Sequence, residues 1–291
     1  MSNTKVLVTG GEGQLGTDVI KVLQDQGYEV YGFGKKELDI TIKDQVEEIF
    51  SQIVPDIVVH TAAYTKVDLA ETEYELAFNI NALGTRNLAT AADKYQAKLI
   101  YISTDYVFNG EKLEPYQEFD ATNPINVYGE SKLAGEEFVR SICPKYFIVR
   151  TSWVYGLHGN NFVKTMLQLA QKQTSLSVVH DQIGSPTYTI DLARCISDIM
   201  ETDKYGTYHV SNSGYCSWYE FAKEIFNSAS ITIDLIPVTS EQFPRPAKRP
   251  RYSVMQHSAL ELNGFQMIRS WKDGLKDFLI EYKDTQILIN N

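Results

Sequence analysis

The stretch Lys5-Val6-Leu7-Val8-Thr9-Gly10-Gly11-Glu12-Gly13-Gln14-Leu15-Gly16 decides the fold. It begins with a short apolar run of the kind buried inside a sheet. A glycine-rich turn follows, and then a helical pattern through Val19, Ile20, Val22 and Leu23 that stops at Gly27. Two templates fit the turn. Gly11, Gly13 and Gly16 have G-x-G-x-x-G spacing, and Gly10, Gly13 and Gly16 have G-x-x-G-x-x-G spacing. In either frame the small residues let backbone approach a pyrophosphate, and the helix N-terminus adds free N–H groups and the positive end of its dipole. A bare glycine pattern is a weak signal. One that closes the first strand and opens the first helix has the context that dinucleotide binding requires.

Outward from this turn, strands and helices alternate. Glu29-Val30-Tyr31-Gly32-Phe33 reads as a second strand, 55–60 as a third, 98–103 as a fourth and 146–150 as a fifth. Helical patterns fall between them at about 43–53, through Leu76, Ile80, Leu83, Leu88 and Ala91, and at 128–142. Continuous apolar strands in this rhythm predict an α/β fold: a Rossmann-type doubly wound parallel sheet, covered on both faces. Such sheets bind ligands at the carboxyl ends of their strands. Thr9-Gly10, Thr61-Ala62-Ala63, Ser103-Thr104 and Thr151-Ser152 fall at those ends. Residues 1–155 are expected to form this dinucleotide-binding domain. Residues 156–291 are expected to form mainly a smaller, mixed α/β C-terminal substrate lobe, with crossings back to the first domain allowed. Helices are expected there near 161–172, 190–202, 217–227 and 271–283, and short strands near 176–179, 207–210 and 233–238.

Composition narrows the classes. With 291 residues and 43% hydrophobic content the chain can bury a substantial core. A net charge of −10 argues against nucleic acid, which needs a basic surface. No apolar run is long enough to span a bilayer, and the N-terminus lacks a signal peptide's apolar block. Cys143, Cys195 and Cys216 have no metal-ligand spacing and suit a reducing compartment. A cytoplasmic protein without membrane association is expected.

Tyr128 and Lys132 stand four positions apart in Tyr128-Gly129-Glu130-Ser131-Lys132, on one face of the expected helix. An ammonium favours a nearby phenolate, so the pair suits proton exchange with a carbonyl or alcohol. By itself the spacing fits a packed Tyr and a solvated Lys equally well. At the end of the second strand there is no acid before Glu37 to meet a ribose 2′-hydroxyl. Lys35 or Lys36 is placed to meet a 2′-phosphate instead, which favours NADPH and leaves NADH open. Surface charge is the other reading of these lysines.

Together these features resemble the extended short-chain dehydrogenase/reductases along the whole chain. The glycine turn, Thr61-Ala62-Ala63-Tyr64, Ser103-Thr104-Asp105-Tyr106-Val107-Phe108 and Tyr128-x-x-x-Lys132 stand in that family's order. More narrowly, Ala62 to Glu71, Ser103 to Gly110, Arg150 to Gly156, Asn160-Asn161-Phe162, Asp181-Gln182-x-Gly184-x-Pro186-Thr187 and Arg245 to Pro250 resemble the dTDP-4-dehydrorhamnose reductases. The resemblance implies reduction of a dTDP-sugar 4-ketone by NADPH or NADH, the last step of dTDP-rhamnose synthesis.

It also implies roles. Tyr128 donates the proton, Lys132 lowers the Tyr128 pKa and binds the nicotinamide ribose, and Thr104 holds the substrate carbonyl. Gly10, Gly13, Gln14, Leu15, Gly16 and Lys35 fall to the cofactor, with Asp39 and Ile40 at the adenine and Ala62, Ala63 and Tyr64 lining its path. Val67, Asp105 and Trp153 fall to the sugar nucleotide. Val67 also suits ordinary core, Asp105 a helix cap and Trp153 an interface between lobes. Arg249, in the basic Pro-rich stretch Arg245-Pro246-Ala247-Lys248-Arg249-Pro250, suits either a substrate pyrophosphate or a structural salt bridge. Some members of this reductase family use magnesium at an acidic subunit interface. No such cluster is readable here, so no metal is expected, and a homodimer is allowed but not specified.

Rival chemistries share the fold. Dehydratases of the superfamily carry Thr-Asp-Glu where this chain has Thr104-Asp105-Tyr106, which argues against elimination. Another sugar-nucleotide epimerase, dehydratase or reductase of the superfamily and a non-catalytic NADP-binding regulatory subunit remain alternatives.

Overall fold

A computed structural model describes residues 4–290, the side chains of 286–290 excepted. Five strands follow the expected alternation: β1 (Lys5–Thr9), β2 (Glu29–Phe33), β3 (Ile57–His60), β4 (Lys98–Thr104) and β5 (Tyr146–Thr151). A sixth strand, Gly206–His209, joins them beside β5, and all pair in parallel. Across the sheet β2 is followed by β1, β3, β4, β5 and then Gly206–His209. The connections diverge at β1, between β2 and β3. The glycine turn therefore opens at the switch point, where a parallel sheet offers its crevice.

Alternation along β1 explains the two layers. Val6 and Val8 point to one core, with Leu15, Val19 and Leu23 of the helix α1 (Gln14–Asp25). Leu7 points to the other, with Val46 and Phe50 of α2 (Lys43–Ile53) and Leu88 of the helix Thr85–Lys94. All of these side chains are buried.

The chain past residue 155 does not stay in one lobe. The strand Gly206–His209 pairs with β5, and the helix Thr189–Met200 packs on α1. That strand and that helix are crossings back to the first domain of the kind the sequence allows. The reason is burial: Leu192, Ala193, Ile196 and Ile199 cover the flank of the sheet that α1 leaves open. The remaining lobe has its own core. Val163, Met166, Phe221, Ile225, Leu275 and Phe278 meet there from the helices Phe162–Ala170, Trp218–Ser228 and Trp271–Asn290. Strand Ser175–Val179 pairs with Asp234–Val238 at its edge. Among the described residues no helix is long and apolar enough to cross a membrane.

The helical stretch before β4 carries one irregularity. Between the helices Tyr74–Phe78 and Thr85–Lys94, residues Asn79–Gly84 form a π-helical segment. Such a widened turn shifts the register of the side chains and often marks a functional site. Here it accompanies the inward placement of Asn81, which is fully buried.

Candidate active site

A crevice of about 840 Å³ opens at the carboxyl ends of the strands. Its floor at one end is the glycine turn. Gly10 has φ +69°, and a Cβ at Gly16 would collide with the Gly10 carbonyl oxygen. The Gly13 N–H donates to that same oxygen at 2.8 Å. The structure therefore realises the Gly10, Gly13, Gly16 frame, and Gly13 caps α1 without any side chain of its own. The free N–H groups at this helix start form a cradle that fits a pyrophosphate. Gln14 locks the cradle to the chain beyond β5: its amide donates to the Val154 carbonyl at 3.1 Å and accepts from Asn161 at 2.8 Å.

Beyond the cradle, exposed Lys35, pinned Asp39 and buried Ile40 line the same end. Asp39 accepts from the Thr41 N–H at 3.0 Å, and Asn87 donates to the Ile40 carbonyl at 2.9 Å. Gly10, Gly13, Gln14, Leu15, Gly16, Ala62, Ala63, Val67, Thr104, Asp105, Tyr128, Lys132 and Trp153 also line the crevice. Two residues expected there do not. Tyr64 turns away: its backbone is gripped by Asn81 and its hydroxyl donates to Glu73 at 2.6 Å. Arg249 makes a two-pronged ion pair with Asp68, at 2.7 and 2.9 Å, and donates to the Ala247 carbonyl. Its guanidinium is held by this salt bridge and lies near Tyr106. That contact holds the Asp68 carboxyl below the usual carboxylate range.

At the other end, Tyr128 and Lys132 project from the helix Val127–Ile142. Asn126 caps it by accepting from the Gly129 N–H at 2.8 Å, and its amide donates to the Lys248 carbonyl. Thr104 ends β4 and accepts from the Tyr106 N–H at 3.2 Å. Its hydroxyl donates to Asp105 at 3.1 Å. The Tyr128 ring keeps partial exposure to the crevice. Desolvation nonetheless pushes its phenol up to about 12, with the neighbouring Thr104 hydroxyl partly opposing the rise. Tyr106 stands edge-on to it, with ring centroids 5.8 Å apart.

Lys132 behaves differently from the expectation that its charge lowers the Tyr128 pKa. Burial brings the ammonium itself down to about 7, opposed by the negative charge of Glu136. Its Nζ sits 4.0 Å from the centre of the Tyr101 ring, whose face receives the cation. Tyr101 in turn donates to the Lys132 backbone carbonyl at 3.1 Å. The chain thus holds a protonated phenol and an easily neutralised amine on one helix face.

Sequence reasoning missed the supports beneath this pair. Asn81 donates to Ser131 on the Tyr128 helix at 2.9 Å and holds Tyr64 by both backbone groups. Glu136 pairs with Arg150 at 2.9 and 2.8 Å and accepts from Ser103 at 2.6 Å, tying that helix to β4 and β5. A carboxylate at Tyr128 plus eight and an arginine at the end of an apolar strand were visible signals, but only the register brings them together.

Comparison with known proteins now decides the family. The family model described as the RmlD substrate binding domain matches residues 4–284. The chain belongs to the RmlD substrate-binding domain family. Among its relatives, the spore coat polysaccharide biosynthesis protein SpsK of Bacillus subtilis (strain 168) is 45% identical over 278 residues, 96% of this chain and 98% of that one. The dTDP-4-dehydrorhamnose reductase of Aggregatibacter actinomycetemcomitans is 41% identical, over 94% of this chain and 97% of that protein. A crystal structure of dTDP-4-dehydrorhamnose reductase from Bacillus anthracis str. Ames in complex with NADP superposes with a TM-score of 0.94 at 53% identity. It covers 96% of this chain and 99% of that one. Over 96% of its length this RmlD-family chain therefore has the fold of that NADP-bound reductase.

Proposed function

We propose that the chain reduces the 4-keto group of dTDP-4-dehydro-L-rhamnose to give dTDP-L-rhamnose, with NADPH as the preferred donor. The observation that carries this reading is the meeting of Thr104, Tyr128 and Lys132 in the crevice that begins at the glycine cradle. The nicotinamide cofactor supplies the hydride when bound. The chain's own residues then have three tasks. Thr104 holds the carbonyl oxygen by its hydroxyl. Tyr128, protonated up to about 12, gives its proton to the oxygen as negative charge develops there. Lys132 holds the nicotinamide ribose and supplies a second exchangeable proton, since burial brings its ammonium down to about 7.

Other residues support the division of labour. Gly10, Gly13 and Gly16 receive the pyrophosphate, Asp39 and Ile40 the adenosine, and exposed Lys35 the 2′-phosphate. Val67, Asp105 and Trp153 of the first domain face the sugar nucleotide, and Trp218 of the second lobe lines the same crevice. Tyr106 occupies the place where an eliminating enzyme has a carboxylate, and its phenol is pushed far up by burial. No acid stands there to drive loss of water.

The test is NADPH oxidation by the purified chain with dTDP-4-dehydro-L-rhamnose, the product being identified by NMR. Stoichiometric NADPH consumption with formation of dTDP-L-rhamnose is expected. Tight NADPH binding without turnover overturns the reading and favours a binding subunit.

A further inference from the structure

We propose that Trp218 is a positioning residue for sugar-nucleotide binding: with Gly184 it forms a slot, built by the second lobe, that holds the Trp153 indole as the crevice wall facing the sugar ring. The inference rests on the sugar-nucleotide reading above and adds a residue that neither the motifs nor the relatives assign.

Trp153 leaves β5 at the crevice, two residues beyond Thr151, which is the register partner of Thr104. Its φ is +47°, a left-handed conformation uncommon for any residue but glycine and foreign to a bulky one. Something must hold it there, and the contacts are explicit. The Trp218 indole lies parallel to the Trp153 indole, with centroids 3.5 Å apart and planes 9° from parallel. A Cβ on Gly184 would stand 2.6 Å from Trp153 Cε2 and 2.7 Å from its Nε1, so only glycine admits the ring.

Both parts of the slot come from one short ladder. Ile183–Gly184 pairs antiparallel with Cys216–Ser217, and Trp218 follows immediately. Ser217 fixes the start of that helix in a reciprocal cap with Glu220, which sets Trp218 in place. The backbone around Trp153 is fastened to the same segment. The Ser152 hydroxyl donates to the Ser185 carbonyl at 2.7 Å, and the Thr187 N–H donates to the Trp153 carbonyl at 3.2 Å. The sequence Gly184-Ser185-Pro186-Thr187 is thereby explained as one device: it admits the indole and ties down its strained backbone.

Trp153 and Trp218 both line the crevice. Phe162 covers Trp218, centroid to centroid 4.5 Å. Trp218 is thus stacked on Trp153 and backed by Phe162, and the surface the pair offers is an apolar wall. An apolar wall suits the C–H positions of a sugar ring, with orientation left to Thr104 and Asp105.

Stacked indoles this close couple their transitions and give a far-ultraviolet circular dichroism couplet, which reads the slot independently of turnover. In the wild type the couplet is expected to change on titration with dTDP-L-rhamnose and not with NADPH. Trp218→Leu should abolish the couplet and raise the KM for the sugar nucleotide about tenfold, the size of one lost apolar contact. The NADPH dissociation constant should stay within about twofold. Trp218→Phe should recover part of the KM. Gly184→Ala, which puts a carbon against the Trp153 indole, should alter the couplet and raise the same KM, and it carries the test if Trp218→Leu does not fold. Loss of the couplet with an unchanged sugar-nucleotide KM overturns the proposal. So does a wild-type couplet indifferent to dTDP-L-rhamnose. A couplet that responds to the nucleotide sugar in a chain that does not reduce the keto sugar supports the slot while overturning only the reaction.

Discussion

At the glycine end of the crevice the protein presents backbone; at the Tyr128 end it presents side chains stripped of water. The cradle relies on Gly10, Gly13 and Gly16, with one exposed cation, Lys35, on its rim. The reacting end packs Thr104, Asp105 and Lys132 to 5, 2 and 2% exposure. The difference teaches where sensitivity should lie. Backbone cradles fail sterically, when an atom is added. Buried ionisable groups fail chemically, when an atom is removed or the pH moves a proton.

The largest effect should come from removing one oxygen. Tyr128→Phe deletes the proton donor while leaving a ring that packs beside Tyr106. kcat for the 4-keto sugar should fall by about 10³-fold, within the span that a positioned acid supplies, with NADPH binding little changed. Steady-state kinetics beside a fluorescence titration of NADPH measure both. Retained turnover would break the assignment of the reacting end. At the opposite end, Gly16→Ala adds one carbon against the Gly10 carbonyl oxygen, a contact with backbone that no rotamer relieves. NADPH affinity should weaken by roughly 100-fold, the order of a few kcal/mol typical of a misfit at a special backbone site. kcat at saturating cofactor should change much less.

The same contrast governs how much was legible in the chain. β1, the glycine turn and the alternation through β5 are local patterns, and the structure follows them. The strand Gly206–His209 was legible as an element but not as a member of the first sheet, because membership depends on a pairing between residues about 60 positions apart. Arg249 shows the limit at a site. Its charge was visible, and Asp68, which neutralises it, lies 181 positions earlier. Lys132 shows another: the four-residue spacing placed it beside Tyr128, but burial over Tyr101 decided its ionisation. Long-range partners and desolvation are properties of the packed chain, not of its local pattern.

A milder test of the reacting end uses pH. One oxygen of Asp105 is buried without a hydrogen-bond partner. Burial raises the carboxyl from 3.8 to about 7, with the Ser253 and Thr104 hydroxyls opposing the rise. Between those values the folded chain binds more protons than the unfolded one, so this group's contribution to stability is full below about 3.8 and is lost as pH rises through about 7. Asp105→Asn cannot ionise. Its melting temperature relative to wild type should rise by a few degrees between pH 5 and pH 8 in the ligand-free chain. The opposing slope from Lys132, whose depressed pKa favours folding as pH rises above about 7, is carried by both proteins. It cancels to the extent that removing the Asp105 charge leaves Lys132 undisturbed. A difference that is flat with pH would mean that Asp105 is solvated in solution.

The smallest effect belongs to the cofactor end. Lys35→Ala removes an exposed cation, and an exposed ion pair contributes up to about 1 kcal/mol. The KM for NADPH should rise about fivefold at low salt and less as salt screens the phosphate, while the KM for NADH stays the same. The ratio of the two separates this rim contact from the cradle: Gly16→Ala should weaken both donors alike, since both carry the pyrophosphate. If Lys35→Ala weakens NADH as much as NADPH, then Lys35 serves a part that the two donors share, and selection between them must come from elsewhere on the rim.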